Sequence, residues 1–219
     1  MTLLVKICGL KAEPTLDAAL SAGADLVGFV FFAPSPRNVT FAEARVLGRR
    51  VGGRAEKVAL SVDADDALLA AIVDALRPDW LQLHGQESPE RVGAIKARFG
   101  LPVMKAIPIE TAADLTRIAA YANIADRLLF DARPSRDATR PGGLGKPFDW
   151  HLLANLDPGL RFMLSGGLDA YNVAEALRVT RAPGVDVSSG VERAPGEKDP
   201  DKIRAFIRAA RASEELMVR

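Results

Sequence analysis

The sequence is poor in metal-binding and disulfide-forming residues, with a single cysteine and only two histidines among 219 residues. One cysteine cannot form an intramolecular disulfide, and the sequence contains no CxxC pair with the spacing of a zinc site. Both absences are typical of proteins from a reducing compartment. We therefore expect a metal-free protein that works in the cytoplasm.

The sequence also lacks a charge excess and a long apolar run. Lys plus Arg number 29 against 28 for Asp plus Glu, which gives a net charge of +1. Partners such as nucleic acids and membrane surfaces usually require a basic patch or stripe. No stretch approaches the roughly 20 apolar residues needed to cross a bilayer, and the first apolar stretch is too short for a signal peptide. These features predict a soluble protein that binds neither nucleic acid nor membrane.

Short apolar runs rich in Val, Leu, Ile and Phe recur along the chain, and Ala-rich amphipathic segments separate them. Apolar strands that alternate with helices indicate a parallel sheet covered on both faces. Eight such units predict an α/β fold, a single (β/α)8 TIM barrel over residues 1–219, with an open doubly wound sheet as the alternative. The predicted strands are residues 3–7, 26–31, 57–62, 80–83, 103–107, 128–130, 162–164 and 185–187.

Small residues end the seventh and eighth predicted strands, in "LSGGL" and "VDVSSGVE". Barrels of this kind carry their active sites at the carboxyl ends of the strands, and they often bind phosphate at the last two. Either stretch alone is equally typical of a tight turn. Together they predict a phosphorylated small-molecule substrate bound by Gly166, Gly167, Ser188, Ser189 and Gly190.

Cys8 and Asp131 follow the first and sixth predicted strands. A thiol, with an unperturbed pKa of about 8.5, becomes a base at neutral pH with modest help from cations, and Lys6 lies two residues earlier on the same strand face. The apolar strand before Asp131 would shield its carboxyl group and favour the protonated form of a general acid. The alternatives are a buried packing role for Cys8 and a capping role for Asp131.

Three further polar residues are candidates for substrate binding. Arg37 offers a planar fork for a carboxylate, although an arginine in a Pro-flanked loop is often only solvated. Gln82 and His84 in "LQLHG" share one face of the fourth strand. His84 is either a titrating group or a residue that forms hydrogen bonds within the barrel mouth.

Seven motifs, spread in order over nearly the whole chain, resemble those of the phosphoribosylanthranilate isomerase family of tryptophan biosynthesis. They are "VKICGL", "GFVFFAPSPRNV", "LQLHG", "LLFDA", "PGGLGKPFDW", "LSGGL" and "GVDVSSGVE". The resemblance implies a (β/α)8 barrel that converts N-(5-phospho-β-D-ribosyl)anthranilate into 1-(2-carboxyphenylamino)-1-deoxy-D-ribulose 5-phosphate. This Amadori rearrangement would need no metal and no organic cofactor.

The resemblance also implies roles for individual residues. Cys8 would be the general base, Asp131 the general acid and Arg37 the partner of the anthranilate carboxylate, with the phosphate held at the two glycine- and serine-rich strand ends. Two residues depart from the family pattern: Leu144 replaces a small hydroxyl residue, and Ser165 replaces an alanine. The first departure puts in doubt how the loop after the sixth strand closes over the substrate.

Other functions remain as alternatives. An indole-glycerol-phosphate synthase would show catalytic lysines and an additional amino-terminal segment, and a sugar-phosphate epimerase would show metal-binding histidines beyond His84 and His151. A phosphate binder without catalysis would need neither Cys8 nor Asp131. The sequence leaves both a monomer and a homodimer open.

Overall fold

A computed structural model describes residues 2–133 and 148–217 of the chain. Eight parallel strands follow one another in chain order around a closed barrel. The barrel closes where β1 pairs with β8, with Val5 opposite Val185. This confirms the predicted (β/α)8 barrel and excludes the open sheet. The strands are β1 (Leu4–Cys8), β2 (Leu26–Phe31), β3 (Glu56–Ser61), β4 (Trp80–Leu83), β5 (Val103–Ile109), β6 (Arg127–Ala132), β7 (Phe162–Leu164) and β8 (Gly184–Val187).

Helices pack outside the barrel, and α2, α3 and α4 begin after residues whose side chains satisfy free backbone amides. Thr40 and Glu43 form a reciprocal capping box at α2, and the Ser88 hydroxyl accepts from the amide of Arg91 at α4. None of the described helices is long and apolar enough to cross a membrane. They are α1 (Glu13–Ser21), α2 (Phe41–Val51), α3 (Asp66–Leu76), α4 (Pro89–Phe99), α5 (Ile118–Tyr121), α6 (Val173–Thr180) and α7 (Pro200–Met217).

Two segments with a helical sequence pattern are less regular than that pattern predicts. Residues 112–122 form a 3₁₀ helix (Ala112–Arg117) followed by the short α5, and residues 149–154 contain only a 3₁₀ turn (Trp150–Leu153). No residue of the first 3₁₀ helix is buried. Since helices depend mainly on the packing of an apolar face, little stabilises a regular α-helix there.

The interior of the barrel changes from apolar to polar along the strands. Apolar side chains pack together across its amino-terminal half, among them Leu26, Val58, Met104, Leu129 and Met163. Successive side chains of a strand alternate between its two faces, so residues two positions further along also face inward. On β6 and β7 these residues are Asp131 and Ser165, and together with Lys6, Gln82 and Asp186 on β1, β4 and β8 they form the polar, buried floor of the site. The corresponding positions on β2, β3 and β5 hold Gly28, Leu60 and Ala106.

A two-stranded antiparallel hairpin lies between β8 and α7, and the sequence pattern does not predict it. Its strands, β9 (Glu192–Ala194) and β10 (Glu197–Lys198), are too short to produce a recognisable alternation of apolar and polar residues. The hairpin places two buried charged side chains, Glu192 and Lys198, at the carboxyl-terminal rim of the barrel.

Candidate active site

Cys8 ends β1 and packs among apolar side chains inside the barrel. It is 3% exposed and contacts the buried cluster of Val30 and Leu60. Gly28 lies opposite on β2, where an added Cβ atom would come within 2.9 Å of the Cys8 sulfur and 3.3 Å of the Lys6 Cε atom. Only glycine therefore leaves room on β2 for the thiol.

Beside Cys8, a buried ion pair links β1 to β8. The Lys6 ammonium lies 2.8 Å from Asp186 Oδ1, and the Ser165 hydroxyl donates to Asp186 Oδ2 at 3.1 Å. Burial by itself lowers the pKa of Lys6, but attraction to Asp186 and to Cys8 raises the pKa above its ordinary value overall. Lys6 is therefore a fixed positive charge, and Ser165 supplies a hydrogen bond that an alanine could not.

The electrostatics of Cys8 differ from the sequence-based expectation. Burial raises the pKa of the thiol, and the negative charge of Asp186 acts in the same direction. The cations of Lys6 and Lys198 lower the pKa but do not compensate for burial. The ligand-free protein therefore holds a neutral thiol at pH 7, because the apolar surroundings penalise the thiolate.

We expect a pH titration to place the ionisation of Cys8 above that of a free cysteine. A raised pKa means that the thiolate fraction, and with it the rate of a thiolate-dependent reaction, grows as the pH rises through the alkaline range. Because Cys8 is the only cysteine, the ultraviolet thiolate absorbance of the wild type minus that of Cys8→Ala isolates it. A midpoint below that of a free cysteine would contradict this electrostatic account.

Asp131 lies on β6 within a chain of buried polar groups. Its Oδ1 atom accepts from its neighbour's amide, that of Ala132, at 2.9 Å. Its Oδ2 atom is 3.2 Å from His84 Nε2, and His84 Nδ1 is 3.0 Å from Gln82 Nε2. The structure thus brings three of the predicted site residues into one hydrogen-bonded row.

Arg37 is buried rather than solvated, and it contacts a carboxylate of the chain itself. Its Nε and Nη2 atoms donate to the two carboxylate oxygens of Glu192 at 2.7 and 2.8 Å. Lys198 Nζ lies 2.7 Å from Glu192 Oε1. Burial raises the pKa of Glu192, but Arg37 and Lys198 outweigh this effect and hold the pKa below its ordinary value. Arg37 is thus held in place by a carboxylate whose charge is stable.

Lys198 joins this carboxylate to the end of β8. Its Nζ atom donates to the Ser188 carbonyl oxygen at 2.9 Å and to the Ser188 hydroxyl at 3.1 Å. The Ser188 hydroxyl in turn donates to the Cys8 carbonyl oxygen at 3.2 Å. Burial lowers the pKa of Lys198 to about 8, although Glu192 opposes the shift. These contacts connect the Arg37 region to the Cys8 backbone.

The tips of β7 and β8 offer hydrogen-bond donors without internal partners. The backbone amides of Gly166, Gly167, Ser189 and Gly190 donate to no other group among residues 2–133 and 148–217. The first two glycines adopt left-handed backbone angles, with φ of +85° and +70°. A Cβ atom on Gly190 would collide with the Leu168 carbonyl oxygen, so the two tips are in contact. Such a group of free amides suits an anion.

A sequence profile of the family described as N-(5'phosphoribosyl)anthranilate (PRA) isomerase matches residues 5–209. The chain belongs to this family. The isomerase of Rhodopseudomonas palustris strain BisB5 is 68% identical over 217 residues, which cover 99% of this chain and all of that relative. The Bradyrhizobium diazoefficiens isomerase is 66% identical over 223 residues, with complete coverage of both chains.

Solved structures of isomerases from this family share the fold. A crystal structure of the Thermotoga maritima isomerase superposes with a TM-score of 0.87 and is 33% identical, covering 96% of this chain and all of that one. A phosphoribosyl anthranilate isomerase in complex with reduced 1-(o-carboxyphenylamino)-1-deoxyribulose 5-phosphate gives a TM-score of 0.84 at 32% identity, with the same coverage.

Sequence reasoning missed several residues that this isomerase-family site contains. Asp186 carried a usable signal, because it is a charged residue inside the otherwise apolar run of β8. The structure pairs it with the inward-facing Lys6 on β1. Glu192 and Lys198 carried none, since their hairpin is too short to detect. Leu144, whose effect on loop closure was in question, lies outside the described residues.

Proposed function

We propose that this member of the family isomerises N-(5-phospho-β-D-ribosyl)anthranilate to 1-(2-carboxyphenylamino)-1-deoxy-D-ribulose 5-phosphate, with Cys8 as general base and Asp131 as general acid. The proposal depends on one observation above all. The only thiol of the chain and a buried carboxyl group occupy inward-facing positions near the carboxyl ends of β1 and β6, with β7 and β8 between these two strands in the closed ring.

The reaction needs one proton delivered and one removed. Protonated Asp131 donates to the ribose ring oxygen, the C1–O bond breaks, and the anilino nitrogen supplies the electron pair that forms a protonated Schiff base. The thiolate of Cys8 then removes the proton from C2, which gives an enolamine that tautomerises to the ketone. The positive imine acidifies C2 and also attracts the thiolate, which offsets the burial penalty on Cys8.

The phosphate would be held by the free amides at the tips of β7 and β8, contributed by Gly166, Gly167, Ser189 and Gly190. Ser188 would support this cradle through its contacts with the backbone of Cys8 and with Lys198. A phosphoribosyl anthranilate isomerase with the same fold was crystallised with a ligand that carries a 5-phosphate. That complex supports a phosphorylated small-molecule substrate for this chain.

The direct test of the function is a turnover assay on the purified protein. Phosphoribosylanthranilate is fluorescent, so its consumption can be followed continuously and the product identified by mass and retention time. We expect turnover without added metal or cofactor and in the presence of a chelator. A well-folded protein that leaves the substrate unchanged would overturn the proposal.

We further propose that Arg37 binds the anthranilate carboxylate and that Glu192 orients it for this purpose. Arg37→Ala is expected to raise KM by about tenfold, in line with the loss of one charge-assisted hydrogen bond, and to change kcat less. Binding assays with two phosphorylated product analogues, one of which lacks the carboxyl group, separate this role from a structural one. Equal loss of affinity for both would contradict a carboxylate contact.

The matched control for this variant is Arg45→Ala, which removes an exposed arginine paired with Asp74. It should leave both kinetic constants unchanged, because exposed ion pairs contribute little.

Other properties belong to the same proposal. Residues 1–219 would form one catalytic domain that works in the cytoplasm as a monomer or homodimer. The T. maritima relative is described as dimeric, and monomers of it have been crystallised. Sedimentation of the purified chain over a range of concentrations distinguishes the two states.

A further inference from the structure

Gln82, predicted from the sequence as a substrate-binding residue, lies fully buried inside the barrel. Its amide Nε2 is 3.0 Å from Nδ1 of His84, whose Nε2 is 3.2 Å from Asp131 Oδ2. We propose that Gln82 is a positioning residue: its amide fixes the tautomer of His84 that turns an N–H group toward Asp131. The consequence for catalysis rests on the proposed role of Asp131 as the general acid.

The tautomer follows from the donor and acceptor chemistry of the three groups. An amide nitrogen only donates, so the ring nitrogen that faces it must carry a lone pair. In a neutral imidazole the proton then resides on the other nitrogen, Nε2, where it donates to the Asp131 carboxylate. The opposite tautomer would direct a ring lone pair at Asp131 Oδ2 and an N–H group at the Gln82 N–H groups.

This arrangement stabilises Asp131 after it has given up its proton. Oδ1 accepts from the amide of Ala132 and Oδ2 accepts from His84, so both oxygens of the carboxylate face a donor. Donors already in place for the charge that develops need no reorganisation during the reaction. The row of side chains thus makes Asp131 a more effective proton donor.

The energetic cost of burying the Gln82 amide supports a role for this group. Within the part of the chain that the structure describes, the Gln82 Oε1 atom is buried and has no hydrogen-bond partner. An unsatisfied buried oxygen destabilises the folded state, whereas an apolar side chain of similar length would not. The chain keeps an amide where methionine would pack at lower cost, and the contact with His84 is what the amide provides.

The tautomer can be measured directly because the chain has only two histidines. Long-range ¹H–¹⁵N correlation spectra distinguish protonated from unprotonated ring nitrogens, and the exposed His151, which contacts Asp149, serves as internal reference. We expect the wild type to show His84 protonated at Nε2, and Gln82→Met to shift His84 toward the other tautomer. A wild-type proton on Nδ1, or an unchanged distribution in Gln82→Met, would overturn the proposal.

Kinetics supply the second measurement. Gln82→Met is expected to lower kcat about tenfold, the effect of losing a hydrogen bond to a charged group, with KM changed less than about twofold. Gln86→Met is the matched control, since Gln86 is an exposed glutamine of the loop between β4 and α4. In a His84→Ala background Gln82→Met should have no further effect on kcat, whereas equal losses in both backgrounds would show that Gln82 does not act through His84.

A conservative replacement of His84 keeps the proposal testable if Gln82→Met fails to fold. His84→Gln retains an N–H group that can reach Asp131 without a tautomer to be fixed, so it should recover part of the kcat lost in His84→Ala. Failure of this rescue would contradict donation to Asp131. The nuclear magnetic resonance measurement requires no turnover, so it can fail or succeed independently of the proposed reaction.

Discussion

Replacing Cys8 with alanine is expected to lower kcat by at least about a hundredfold, the lower range for removal of a general base. The affinity for a phosphorylated product analogue should stay within about threefold of wild type, because the proposed phosphate donors are backbone amides on β7 and β8. Steady-state kinetics and a binding titration with the analogue measure the two effects separately.

Cys8→Ser is the informative companion, because it preserves size and replaces the thiol with a far weaker acid. If the thiolate is the base, serine should be nearly as inactive as alanine. A serine variant with substantial turnover would mean that Cys8 only fills space beside Gly28, and the assignment of the base would then be wrong.

Asp131→Asn is expected to lower kcat by at least about a hundredfold as well, since an amide cannot deliver a proton to the ring oxygen. The substitution preserves shape, but its single amide oxygen can accept from only one of the two donors, the Ala132 amide or His84 Nε2. We therefore expect a lower thermal unfolding midpoint, with the loss in kcat measured at a temperature at which the variant is fully folded. Kinetics and calorimetry on the same preparation provide the comparison.

Asp149→Asn is the matched control for that experiment. Asp149 is exposed and also has a histidine partner, His151. It should leave kcat unchanged. If Asp131→Asn retained wild-type turnover, the proton donor would have to be another group, and ring opening would need a new explanation.

The fold could be predicted from the sequence because its signals are local. Eight apolar runs separated by amphipathic segments, several of them with capping residues, specify strands buried on both faces, and such strands close into a barrel. The helix starts at Thr40 and Ser88 depend on side chains within three residues of the amides they satisfy. The positions of Cys8 and Asp131 at strand ends follow from the same pattern.

The electrostatics of the site could not be predicted, because they depend on contacts between distant parts of the chain. The raised pKa of Cys8 results from burial among side chains of β2 and β3, which proximity to Lys6 in sequence does not reveal. The pairing of Arg37 with Glu192 depends on a hairpin of five strand residues. A contact that spans most of the chain leaves no periodic trace in the sequence.

The ion pairs at the floor and rim of the site have a consequence for how the protein folds during its synthesis. Arg37 and its carboxylate partner are 155 residues apart, and Lys6 and its partner are 180 residues apart. Contacts between such remote segments form late, because closing a long loop costs chain entropy before any contact compensates for it. Until Asp186 and Glu192 have emerged from the ribosome, Lys6 and Arg37 lack these two carboxylate partners, so the site is completed only near the end of translation.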